Sequence, residues 1–240
     1  MKHPLIIGAG GVASYMLPVL LKTFKPEALT IVDKDTLEER NLDRQMFKPE
    51  QVGMNKAQAL LMLHYGHAVG VINYKTGPQW PKGITVIEQW FTESTMLPEG
   101  IDAIFCVADN HMARYAAICK ANELGCYAYI GGNEYVDSQA LVHHRDWRGT
   151  PRDLLTKYPN IATDETGSPF RCTGEAQEAS PQLAMANMHC AAKLLHLAWV
   201  YERWLRDLEM MPSKKAELAD TLPIEFYSSL FNNESVSAHV

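Results

Sequence analysis

The chain has 240 residues, 47% of them hydrophobic, which is enough to bury a sizeable core in one α/β domain. A formal net charge of −6 offers no basic field for a phosphate backbone and argues against nucleic acid as the main partner. Five cysteines without a C-x-x-C pair read as reduced thiols of a cytoplasmic protein, and breaks at Gly8, Gly10, Gly11 and Pro18 exclude a membrane helix from the apolar amino-terminal run.

In chain order, Leu5-Ile6-Ile7 is a short apolar strand that stops at Gly8, and an amphipathic helix follows from Val12 to Phe24. Leu29 to Val32 is a second strand ending at Asp33. A polar, loop-rich stretch over 34–53 leads to a helix from Asn55 to Tyr65. Ile84 to Ile87 and the near-continuous apolar run Ala103 to Ala108 are further strands, the second of the kind buried in parallel sheets. Helix 111–124 comes next, then a strand over Tyr127 to Ile130, a turn at Gly131-Gly132, and a strand near Gln139 to His143.

From Arg148 to Ser180 the periodicity disappears and proline and glycine accumulate, which predicts a long loop. Ser180-Pro181 then opens a helix running to about Met210, and the tail beyond Pro212 is weakly ordered apart from 222–231. The alternation implies a Rossmann-like, doubly wound and mainly parallel α/β sheet, with helices on both faces and a long C-terminal helix. We expect one domain, with a nucleotide-binding core over 1–147, a crossover-type loop over 148–180 and the helix and tail over 181–240.

The chemistry concentrates at three places. Gly8-Ala9-Gly10-Gly11-Val12-Ala13 fits a G-x-G-x-x-A turn between strand and helix, where absent side chains admit phosphate to backbone N–H groups and a helix N-terminus. Asp33, at the end of the second strand, is placed to bond a ribose. These features indicate a nucleotide without separating NAD from ATP. The segment Asp33-x-Asp35 through Asn41-x-x-Arg44-Gln45, then Lys56, then Asp109-Asn110-x-x-x-Arg114, is more particular. Asn41, Arg44 and Gln45 on one helical turn could present two amides and a guanidinium to a polyphosphate, and Lys56 would add a compact positive charge. Asp109 lies at the carboxyl end of a strand, where ligands gather in such sheets.

Over roughly residues 5–143 the sequence resembles the ThiF/MoeB and ubiquitin-activating-enzyme superfamily. That resemblance implies ATP-dependent adenylation of the C-terminal carboxylate of a ubiquitin-like β-grasp protein or a peptide. It assigns Asp33 to the ribose, Asn41, Arg44, Gln45 and Lys56 to the phosphates, and Asp109 to Mg²⁺ or the attacking carboxylate. Cys172 resembles the crossover-loop cysteine that takes the activated acyl group, and a homodimer is implied, with helix 181–209 a candidate contact. Lys56, Arg44 and Asp109 are then catalytic together with Cys172.

Each residue also has a plainer reading. Gly10 and Gly11 could serve only a tight turn, Asp109 could cap helix 111–124, Arg44 and Lys56 could be solvated charges, and Cys172 an unreactive loop thiol. Arg114 is read as structural, Cys106 and Cys190 as core residues, and the paired histidines as lacking a third metal ligand. The sequence departs from the family in its paired C-x-x-C motifs, which are absent. Only seven residues precede Gly8, too few for the N-terminal helix that carries an arginine into a neighbour's site in many family dimers; Lys2 or another chain would substitute. A catalytically weak scaffold and an NAD(P)-dependent oxidoreductase are the alternative readings.

Overall fold

The computed structural model describes residues 1–65, 80–133, 137–163, 183–210, 222–229 and 235–238. Among them runs an eight-stranded sheet: β1 (Pro4–Ile7), β2 (Leu29–Val32), β3 (Ile84–Ile87), β4 (Ala103–Cys106), β5 (Tyr127–Asn133), β6 (Asp137–His143), β7 (Glu225–Ser229) and β8 (Ser235–Ala238). The strand order is β3-β2-β1-β4-β5-β6-β7-β8. The first five strands in that order are mutually parallel, and β6, β7 and β8 continue antiparallel. The winding direction therefore reverses between β1 and β4, which opens a crevice beyond their carboxyl ends.

Strand side chains alternate between two cores, as the two-residue period of a strand requires. Ile6, Ile31 and Phe105 join one cluster with helices α1 (Gly11–Phe24), α2 (Lys56–Tyr65) and α6 (Ala184–Met210). Leu5, Ile7, Ile104 and Cys106 face the opposite cluster, with α3 (His111–Leu124), α4 (Leu154–Lys157) and α5 (Asn160–Thr163). The predicted doubly wound sheet, with helices on both faces and a long last helix, is what forms.

Three local expectations are corrected. The Gly131-Gly132 pair is strand rather than turn: β5 continues through both to Asn133. A Cβ at Gly131 would stand 2.6 Å from Leu194 on α6, and one at Gly132 would stand 2.9 Å from Arg114, so these glycines make room for packing on both sides. The expected long loop after Arg148 instead folds, over its described part, into α4 and α5, anchored by buried Leu154 and Ile161. In the tail, β7 falls within the 222–231 stretch expected to be ordered and pairs with the free edge of β6, whereas β8, beyond that stretch, was not expected and pairs with β7. Ser180 and Pro181, the predicted helix start, lie outside the described residues, as does Cys172.

No helix among the described residues is long and apolar enough to cross a membrane.

Candidate active site

The crevice is built from the ends of β1, β2 and β4 and the start of α1. Gly8 leaves β1 at φ +90°, a conformation that disfavours any side chain, and a Cβ there would lie 2.8 Å from the backbone nitrogen of Ala108 beyond β4. The two loops flanking the switch point thus touch through bare backbone. Gly10 caps α1 without a side-chain hydrogen bond, which leaves the helix's first N–H groups and its positive dipole end facing the crevice.

Asp33 closes one side. Its carboxylate accepts the Ala9 N–H at 2.6 Å and the Asp35 N–H at 2.7 Å, tying the glycine turn to the end of β2. Burial raises its pKa to about 6, against the lowering effects of the Ala9 N–H and of Lys56. Asn55 sets the next element: its amide donates to the carbonyls of Asp33 and Asp35, and its Oδ1 accepts from Ala57 and Gln58 at the start of α2. Lys56, the first residue of that helix, is fixed thereby. Its side chain is 15% exposed, its Nζ bonds Asp35 at 3.0 Å, and its charge acts on both Asp33 and Asp109.

Asp109 follows β4 and stands at the solvent rim of the crevice. It is not the cap of α3; Asn110 is, accepting the Ala113 N–H at 2.8 Å. Surrounding protein holds the Asp109 carboxyl above its usual pKa, while Lys56 and Arg114 pull it down. Arg114 was read as structural, yet its charge bears on Asp109, and its Nε is buried without a hydrogen-bond partner.

The N-x-x-R-Q segment is placed differently from the expectation of one helical face. Asn41 is buried, and its Oδ1 accepts the Glu38 N–H, which closes its own 3-10 turn. The Arg44 guanidinium, with its side chain 21% exposed, donates to the Arg40 carbonyl and to Asp43. Gln45 alone turns its amide to the glycine loop: its Nε2 is 4.0 Å from where a Gly10 Cβ would be, and its Oε1 is buried without a partner. The 3-10 turn ends at Asn41, and Arg44 and Gln45 lie beyond it in a turn and a bend, so the three side chains share no helical face.

Sequence reasoning missed Asn187. This α6 residue is 1% exposed, donates to the Arg44 carbonyl at 3.0 Å and accepts from Asn133 at 3.0 Å. A Cβ on Gly11 would come within 2.6 Å of its amide carbon. Asn187 therefore locks the last helix to the glycine turn, the 41–45 segment and the end of β5 together. An asparagine within an otherwise apolar helical stripe was the available signal. Ser14, also overlooked, accepts the Met46 N–H and donates to the Gly11 carbonyl, a second tie to the same turn.

Lys2 does not reach the crevice: it pairs with Glu27 at the opposite end of β1. Among the described cysteines, burial pushes Cys106 up to about 11 and Cys126 and Cys190 up to about 12, and raises Cys119 as well, so none of the four offers a ready thiolate. Among the described residues no group of three or more His, Cys, Asp or Glu is placed to hold a metal ion. Asp109 can still meet an ion carried by phosphates, since Mg²⁺ commonly takes one or two carboxylates and keeps phosphate and water oxygens for the rest.

A family model described as the ThiF family matches residues 1–157. Two curated relatives, both ubiquitin-like modifier-activating enzyme 5, are 29% identical over 126 residues in Arabidopsis thaliana and 30% identical over 128 residues in Oryza sativa subsp. japonica. Each match takes in 50% of this chain, which spans only 29% of the relative's length. Among solved structures, PaaA superposes with a TM-score of 0.62 at 14% identity, over 100% of this chain and 73% of that one. Escherichia coli MccB with AMPCPP and MccA gives 0.64 at 14% identity, over 99% and 63%. At such identities these structures speak for the fold alone.

Proposed function

The chain belongs to the ThiF family, and from that premise we propose that it uses ATP to adenylate the C-terminal carboxylate of a ubiquitin-like β-grasp protein or a peptide. One observation carries the reading: a lysine fixed at the start of α2 acts on two aspartates, Asp33 and Asp109, on either side of a glycine turn whose helix N–H groups are uncapped. A hydride-transfer site has no need of that cation between two acids. The curated relatives, both ubiquitin-like modifier-activating enzyme 5, support the choice of a ubiquitin-like acceptor.

In this reading Asp33 accepts the ribose hydroxyls, and the α1 N-terminus and Gln45 receive phosphate oxygens. A carboxylate oxygen of the acceptor attacks the α-phosphorus; the bond to the β-phosphate oxygen breaks and pyrophosphate leaves. Lys56 opposes the charge that gathers on the phosphates, released from Asp35 as it does so. Mg²⁺, brought with the nucleotide and met by Asp109, would supply further neutralisation of that charge. Arg44 contributes by turning its guanidinium from Arg40 and Asp43 toward the phosphates. A homodimer belongs to the same proposal, with exposed Met185, Met188 and Trp199 of α6 as its contact.

Cys172 extends the reading to a second step. Its thiolate attacks the acyl carbon, AMP leaves, and a thioester forms. The adduct is reducible by thiols and absent from Cys172→Ser. The first step is tested by acceptor-dependent exchange of labelled pyrophosphate into ATP. Exchange that falls at least about a hundredfold in Lys56→Ala supports it; no exchange with any ubiquitin-like or peptide acceptor, and no difference in Lys56→Ala, overturns it.

A further inference from the structure

Helix α6 carries a second polar group, two turns past Asn187 and on the side facing β6 and β7. Lys193 Nζ donates to Ser138 Oγ at 3.4 Å and to Ser228 Oγ. The two serines are register partners on β6 and β7 and bond each other at 3.1 Å, and His189 Nδ1 lies 3.2 Å from Ser228 Oγ. Both serines are buried, while Lys193 is partly exposed.

Two features of this group ask for an anion. Lys193's hydrogen-bond partners among the described residues are neutral hydroxyls, and no carboxylate pairs with it there. An ammonium drawn partly out of water without a counter-charge is costly unless an incoming group supplies one; desolvation indeed lowers the Lys193 pKa. The hydroxyls also have a consistent donor order. Lys193 donates to Ser138 Oγ and Ser228 Oγ, Ser138 donates to Ser228, and Ser228 donates to His189, which leaves one ammonium proton for a further acceptor.

Position says which anion. Ser138 is the register partner of Asn133 on β5, and the Asn133 amide bonds Asn187, which packs on Gly11. The serine–lysine group therefore sits on the same rim as the nucleotide turn, along the line of strand ends. From β4, which delivers Asp109, to β7 is three strand spacings of about 4.8 Å, about 14 Å in all. An extended peptide advances about 3.3 Å per residue, so about four residues bridge that distance.

We propose that Lys193, set on Ser138 and Ser228, is a specificity-determining site that binds an acidic side chain about four residues before the acceptor's reacting carboxylate. The proposal rests on the adenylation reading for the direction in which the acceptor's tail runs. Its ligand is a carboxylate-bearing extended peptide, and Lys193 takes no part in the chemical step.

The test compares two synthetic peptides, acetyl-Ala-Glu-Ala-Ala-Gly-Gly and the same peptide with Gln for Glu, each labelled for fluorescence anisotropy and titrated at low salt. Wild type should bind the Glu peptide at least about fivefold more tightly, an advantage that added salt removes. Lys193→Met, which keeps the aliphatic stem, should bind both peptides alike. As a second readout, acetic anhydride should modify Lys193 more slowly when the Glu peptide is present and at an unchanged rate with the Gln peptide. Equal affinity of wild type for the two peptides, no binding of either at millimolar concentration, or discrimination retained in Lys193→Met overturns the proposal; the wild-type comparison holds even if the variant misfolds. Calorimetric binding of ATP is read separately. Its absence from wild type would defeat the adenylation reading while the peptide comparison stood, and ATP binding with no peptide discrimination would defeat this proposal alone.

Discussion

Asn187 fills the space that a side chain on Gly11 would need: a Cβ there would lie 2.6 Å from the Asn187 amide carbon. Asn187 cannot step aside freely, because its amide nitrogen donates to the Arg44 carbonyl and its amide oxygen accepts from Asn133. The third position of the glycine turn is therefore set by helix α6 as well as by phosphate access.

Gly11→Ala should destabilise the protein by about 1–3 kcal/mol, the usual cost of overpacking a held site. In an Asn187→Ala background the same substitution should cost at least about 1 kcal/mol less. A double-mutant cycle by urea unfolding reads the coupling directly. Additivity within about 0.5 kcal/mol would mean that the two residues do not meet.

Nucleotide affinity should have an acidic limb near pH 6. Asp33 is raised to about 6 by burial, and only its ionised form accepts from a ribose hydroxyl and from Ala9 together. ATP affinity titrated from pH 8 to pH 5 should be flat above about 7 and fall below 6. A limb near pH 4 would place Asp33 in an ordinary aqueous setting. The same shift stabilises the fold in full below pH 3.8, and that contribution is lost as pH rises through about 6.

His143 acts with the opposite sign. Burial lowers its pKa from 6.5 to about 4, and its Nε2 bonds Asn122 Oδ1 at 3.0 Å. Its contribution is present above pH 6.5 and is lost as pH falls through about 4, amounting to about 3 kcal/mol at most. Thermal unfolding at pH 7.5 and pH 4.5 should show a smaller acid loss in His143→Gln than in wild type. Equal losses would exclude His143 as the source.

The parallel half of the fold was legible because its strands are short apolar runs bounded by Gly8, Asp33 and Asp109, and its helices repeat at helical spacing. The antiparallel half was harder. Gly131 and Gly132 carry a turn signature, and only the approach of Leu194 and Arg114 makes them strand, a tertiary fact that no local window contains. In the site, Asp33, Lys56 and the glycines could be read from motif order, and the structure places Gln45 beside the turn. The side-chain directions of Asn41 and Arg44 could not, because a 3-10 turn at 39–41 replaced the assumed helix and each side chain bonds within its own segment. Asn187 escaped notice because its partners, Arg44 and Asn133, are 143 and 54 residues away in sequence.

The claim on which the account rests is that the glycine turn, Asp33, Lys56 and Asp109 together form an ATP site. Calorimetric titration of wild type and Lys56→Met with ATP·Mg²⁺, and of wild type with NADH, tests it most directly. The account predicts saturable ATP binding by wild type, at least about tenfold weaker in Lys56→Met, and no comparable binding of NADH. Tight NADH binding without ATP binding, or equal ATP affinity in the two proteins, would contradict it.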